Sequence, residues 1–441
     1  MKNLISILIC TIMIFSLFGN AIFVNAETQQ PPGAGTASDP FRLSTPAHLE
    51  WINGCRERLS KHYLVVNDIV APHNLVLGYN VDNESSVRFT GVFDGGGHTI
   101  TVNIDSTDIR NFHHASFSLF RWIGSAGIVR NLVIDGSIVN TSRGGGGISG
   151  SNNGTIKNVL VIANIYSDNA WVGGIVGSNG STGTIINSYF AGAISGSGAF
   201  VGGIAGTNSG RIENSYVIGC VTGDIFVGGI SGINSGLIEN SVVLSANLSI
   251  LEDKTAYIEV GRIWSYVWGG TENNNNHTRY DTLINGEPFD GIGKHDNQHG
   301  ESVTAEVFHT LEFWRDTMVW DFTTVWKWNE ETRLPILRNI SGEQNHRLVV
   351  GILDIDVTDD NVNIIFSAPD STTIIIAFFD GNIFLNAVIK HREQSGRIED
   401  VAFPANTSNA NRIKVMLWSN TETMNPLSNY GEITRHGNDW E

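Results

Sequence analysis

Charge is scarce in this chain. Asp, Glu, Lys and Arg make up 16% of its 441 residues, where about a quarter is usual. The little charge present leans acidic, with a formal net charge of −17. That balance argues against nucleic acid or an anionic membrane as a partner. Cysteine is nearly absent. Beyond Cys10, only Cys55 and Cys220 occur, 165 positions apart, which is neither a metal-binding spacing nor a disulfide framework. Both read as buried thiols. No P-loop, G-x-S-x-G elbow, H-E-x-x-H pair or EF-hand loop is present, so no cofactor is expected. Apolar runs long enough to span a membrane are missing too. The one candidate, Leu4 to Phe18, is short for a span of about 20 residues. It follows Lys2 and precedes Val24-Asn25-Ala26, which reads as a signal peptide over residues 1–26. Its removal leaves 26 basic and 44 acidic residues, a charge of −18, and no membrane span in the mature chain.

Glycine is abundant instead, at 49 residues, and it recurs in phase. Four segments superimpose: GGISGSNNGTIKNVLVIANI from Gly146, GGIVGSNGSTGTIINSYFAGAI from Gly173, GGIAGTNSGRIENSYVIGCV from Gly202 and GGISGINSGLIENSVVLSANL from Gly228. A degenerate fifth copy starts at Leu119. One asparagine column runs Asn131, Asn158, Asn187, Asn214 and Asn240, in steps of 27, 29, 27 and 26 residues; a second runs Asn152, Asn179, Asn208 and Asn234. A period of this size marks a repeat architecture. Each unit holds three short β-prone runs separated by Gly, Asn or Ser, with no helical periodicity. Such a unit cannot bury its apolar side alone and must stack on its neighbours at about 4.8 Å. The expected fold is all-β: a parallel β-solenoid with Ile148, Ile175, Ile204 and Ile230 as an inward ladder. The asparagines are expected at left-handed corners, bonding to the coils above and below.

The pattern GGI-x-G-x-N-x-G-x-I-x-N-S resembles the GLUG repeat motif, with isoleucine in its leucine position. The resemblance covers roughly residues 36–340 and implies an exported, adhesin-like β-solenoid of a bacterial type. It implies architecture more than activity.

Residues 27–84 read as a flexible Gln/Pro/Gly-rich leader and an N-terminal cap, with a helix starting at Ser44-Thr45-Pro46. Residues 85–340 read as the solenoid. Its end, with Trp314, Trp320, Trp326 and Trp328, is similar to the closing segment of GLUG-type stacks and is expected to cap the open end. Six strand-like runs over 346–430 predict a small antiparallel β-sandwich, with a hairpin at Asp380-Gly381-Asn382. Residues 431–441 read as a tail.

Functional candidates divide by face. Gly145–Gly150 satisfies G-x-G-x-x-G, but it opens a strand rather than a helix, so it reads as part of the repeat. Lys157, Ile186, Glu213 and Glu239 share one register position. Glu213 and Glu239 are thereby placed one coil apart, where two exposed carboxylates repel by about 1 kcal/mol. They are the candidate acids if the protein is a polysaccharide lyase or glycoside hydrolase; solvated surface acids are the plainer reading. Asp94 in the FDGGG turn, Asp168 and Asp224 read as turn residues. Trp171, Phe200 and Phe226 precede each Val-Gly-Gly. Strict alternation sides them with the inward isoleucines, while a bulge at the glycine pair would turn them out as a sugar-stacking platform. His295 and His299 flank Asp296 in a Gly/Asn loop, a poor metal spacing. Asp354 and Asp356 alternate on a strand and are weak calcium candidates. The reading that follows is a secreted or cell-surface binding or adhesion protein, with a glycan or a cell surface as partner. The alternatives are the glycan-cleaving enzyme and a passive spacer.

Overall fold

The computed structural model describes residues 29–440 except 80, 82–86, 109–116, 141–143, 169–170, 198–199, 246, 251–258, 268–272, 290, 343, 345–350, 359–360, 368–371, 381–382, 393–395, 405–409, 419–430 and 437–438. The expected signal peptide lies outside the described residues.

The repeats build a parallel β-solenoid. The three coils that begin at Trp171, Phe200 and Phe226 each carry five short strands rather than three. In the coil that begins at Phe200 they are Phe200–Gly202, Ala205–Asn208, Arg211–Glu213, Tyr216–Val217 and Cys220–Gly223. Every one pairs in parallel with its counterpart one coil away, for example Arg211↔Leu237, Ile212↔Ile238 and Glu213↔Glu239. The expected inward ladder is present: Ile148, Ile175, Ile204 and Ile230 are fully buried.

Both asparagine columns turn corners, in different ways. Asn131, Asn158, Asn187, Asn214 and Asn240 have φ between 46° and 54°, the left-handed region that asparagine tolerates better than most residues. Asn152, Asn179, Asn208 and Asn234 are buried and chain their side-chain amides along the stack. Asn152 donates to Asn179 (2.9 Å), Asn179 to Asn208 (2.8 Å), Asn208 to Asn234 (2.8 Å) and Asn234 to Asn273 (3.0 Å). A buried amide without such a partner would cost about 1–3 kcal/mol.

The N-terminal end is covered as expected. Thr45 caps the helix Pro46–Ile52, which buries Leu49, Trp51 and Ile52 over the first coil. The leader, expected to be flexible, is seated from Pro31 onward. Arg42 N–H donates to the Pro32 carbonyl (2.7 Å) and His62 N–H to the Gly35 carbonyl (3.0 Å).

The tryptophan-rich segment does not plug the far end. It runs back along the side of the stack. Tyr189 and Tyr216 point outward from coils whose Phe190 and Val217 point inward, and they stack at 4.5 Å and 7°. Trp314, Trp320 and Trp326 lie against Tyr216 at 5.9–6.0 Å. The Tyr189 hydroxyl donates to Gln344 Oε1 (3.0 Å) and that of Tyr216 to the Pro335 carbonyl (3.0 Å). Burial pushes both phenols well above their ordinary pKa. The strap ends on an early coil, where Ser341 N–H donates to the Gly97 carbonyl (2.8 Å). The far end is closed by the loop that carries His295 and His299. Ile263 of the last coil donates its N–H to the Gln298 carbonyl (2.8 Å).

Beyond the strap, two antiparallel sheets enclose a separate core of Val362, Ile364, Ile374, Ile376, Phe378, Val401, Ala410, Ile413 and Val415. Asp380 pairs with Ile383 across the expected hairpin. The expected tail contributes a strand, Gly431–His436, which pairs with Arg412–Val415.

Candidate functional site

A solenoid offers its outer faces for function, and each face here has a distinct chemistry. The face of Leu160, Tyr189, Tyr216 and Val242 is covered by the tryptophan strap.

The neighbouring face carries the charges. In register along it stand Asp94, Arg130, Lys157, Ile186, Glu213 and Glu239. Asp94 is a turn residue, as expected. It accepts from Gly96 N–H (3.0 Å), Arg130 Nε (2.8 Å) and Asn131 Nδ2 (3.0 Å). A cleft of about 510 Å³ lies beside it, lined by Leu64, Gly96, Asn131 and residues 338–341 of the strap. Glu213 and Glu239 do stand one coil apart, but Arg211 lies between them. Its Nη2 reaches Glu239 Oε1 (2.6 Å) and its Nε pairs with Glu213. The repulsion that would have favoured a bound cation is thus met by the protein itself.

Trp171, Phe200 and Phe226 align strand to strand. They are half-buried, while the adjacent Val172, Val201 and Val227 are fully buried. The column therefore faces outward. Alternation does not carry through to Ile175, Ile204 and Ile230 because each strand ends at its first glycine and the corner resets the phase. Phe200 and Phe226 are poor sugar platforms all the same. Phe200 and Phe226 stack at 5.5 Å and 20°, and Phe226 lies 5.4 Å from Tyr266. Their faces are turned toward one another along the stack, which leaves edges for solvent.

The fifth strand of each coil forms a face that sequence reasoning passed over. Asn164–Ser167, Ala193–Gly196, Cys220–Gly223 and Asn247–Ile250 pair side by side. None of these four strands contains a charged residue. Ile165, Ile194, Val221 and Leu248 are buried. The alternate positions present Asn164, Tyr166, Ala193, Ser195, Cys220, Thr222, Asn247 and Ser249 outward. Tyr166 is 42% exposed, and the hydroxyls of Thr222 and Ser249 lie 3.1 Å apart. Cys220, expected to be buried, is exposed here; Cys55 is half-buried, and both are free thiols. The signal was an alternation of small polar with β-branched residues, as in NIYS and CVTG, which marks a half-buried strand.

The metal candidates gain no support from their surroundings. His299 packs its ring on Phe289 at 4.4 Å, and burial holds it neutral with a pKa of about 4. No three His, Cys, Asp or Glu side chains converge among the described residues. Asp354 and Asp356 sit on the strand Gly351–Thr358, opposite Ile365 and Asn363; their side chains lie outside the description. Asp168 is exposed and Asp224 buried.

No family model matches the chain. Two curated relatives align with parts of it. Over 163 residues, 35% of this chain, it is 32% identical to halomucin of Haloquadratum walsbyi, of which that alignment covers 2%. Over 139 residues, 29% of this chain, it is 34% identical to a protein of Evansella cellulosilytica described as a Gly-rich membrane protein, of which 15% is covered. The chain thus spans a small part of the length of the relatives it matches. No helix among the described residues is long and apolar enough to cross a membrane.

Proposed function

We propose that the chain is an exported, cell-surface or secreted binding module of the GLUG repeat type that cleaves nothing. Its ligand is a neutral polysaccharide laid across the charge-free fifth-strand face. The observation that carries this reading is the composition of that face. Hydroxyl, amide and phenol groups stand on parallel strands about 4.8 Å apart, with no charged residue in the four strands. Such groups hydrogen-bond sugar hydroxyls without asking for a counter-charge. The names of the two relatives, halomucin and a Gly-rich membrane protein, accord with a place at the cell surface. Against catalysis stands Arg211, which ties up both carboxylates of the stacked Glu213–Glu239 pair. A glycosidase needs one carboxylate free as acid and another free as base or nucleophile.

The test is retention of the full exported chain on a panel of neutral and acidic polysaccharides, with released reducing or unsaturated sugar measured in parallel. Retention on a neutral polymer, lost in Thr222→Arg and kept in Phe200→Leu, is the expected result. Sugar release that disappears in a Glu213→Gln, Glu239→Gln double variant would establish the enzyme instead. Retention on no polymer would leave a spacer.

A further inference from the structure

Glycine fills one corner of four successive coils. Gly147, Gly174, Gly203 and Gly229 form a column, and the last three each follow the strand that pairs with the next coil. At Gly174, Gly203 and Gly229 a Cβ would overlap the carbonyl of the next coil's corner residue. The next position in the column is Arg262, and no further coil of the same strand stands beyond it. With that carbonyl gone, a side chain fits.

The arginine does not use the space to reach water. It is fully buried beneath the loop that closes the stack. Its Cζ lies 4.2 Å from the Phe289 ring, and its Nη2 donates to the Gly300 carbonyl (3.2 Å) and to Ser302 Oγ (2.9 Å). Nε and Nη1 are buried with no partner, as is Nδ1 of His299 on the same Phe289 ring. No carboxylate pairs with Arg262 among the described residues. Burial alone perturbs it, where an adjacent carboxylate would act in the opposite sense. The arginine at the other end of the repeats, Arg121, differs: only its Nε is buried without a partner, and its guanidinium lies over the rings of Tyr79 and Trp122. A guanidinium removed from water without a counter-charge is strongly destabilising, and a side chain this long ordinarily snorkels out. An uncompensated cation held inside calls for an anion. Full burial favours a small one with no directional demands.

We propose that Arg262 holds a buried halide, which neutralises the guanidinium and fastens the loop over the last coil. The direct test is a crystal of the full chain soaked in bromide. An anomalous peak within hydrogen-bond reach of Arg262 Nε or Nη1 is expected; its absence there, with bromide elsewhere or nowhere, overturns the proposal. In solution, replacing gluconate by chloride at constant ionic strength should raise the thermal midpoint saturably, and Arg262→Met should abolish the rise. An equal rise in both proteins also overturns it. Should Arg262→Met fail to fold, the bromide peak in the unaltered chain decides alone.

Discussion

Single residues keep this stack in register, and several make sharp predictions. Gly203 sits where a methyl group would overlap the Gly229 carbonyl and crowd Val217. Overpacking of this kind costs about 1–3 kcal/mol, and here the obstacle is backbone, which cannot step aside. Gly203→Ala should lower the denaturant midpoint accordingly. Arg211→Gln leaves Glu213 and Glu239 facing each other with no cation between them. Stability should fall by about 1 kcal/mol, and added calcium should recover part of it, whereas the unaltered chain should gain nothing from calcium. The histidines predict a pH response. Burial lowers the pKa of His277, His299 and His309 to about 4 each, below the unfolded value of about 6.5. Between those limits the unfolded chain binds more protons than the folded one, so stability is full above pH 6.5 and drains away toward pH 4. Urea titrations across that window should give a falling midpoint, less steep in His277→Gln.

At the scale of elements, the strap is the feature with the most at stake. It buries Trp314, Trp320 and Trp326 against two stacked tyrosines. Removing one such ring costs about 3–5 kcal/mol. Trp320→Ala should free the strap before the coils open, seen as early amide exchange over residues 313–337 while the coil cores stay protected. The position of this strap was not legible in the sequence. Its aromatic density showed that it must bury itself, but nothing in its own pattern names the surface. The answer lay in Tyr189 and Tyr216, whose outward phase becomes clear only once five strands per coil are counted. The repeat itself was legible because Gly, Ile and Asn recur in phase, and each has a separate steric or hydrogen-bonding reason to do so. The aromatic column could not be sided from sequence, because the glycine corner restarts the alternation. Arg211 could have been foreseen: it stands two residues from Glu213 on one strand, hence on the same face.

The solenoid turns several differently dressed faces outward. One is occupied by the strap, one carries paired charges, one shows aromatic edges, and one is flat, neutral and open. The proposed ligand lies along the last. The most direct test of that placement is amide exchange on the full chain with and without the polysaccharide that retains it. Protection concentrated in residues 164–167, 193–196, 220–223 and 247–250 is the predicted result. Protection centred on the Glu213 and Glu239 strands, or on Trp171, Phe200 and Phe226, with the fifth strands unchanged, would contradict it.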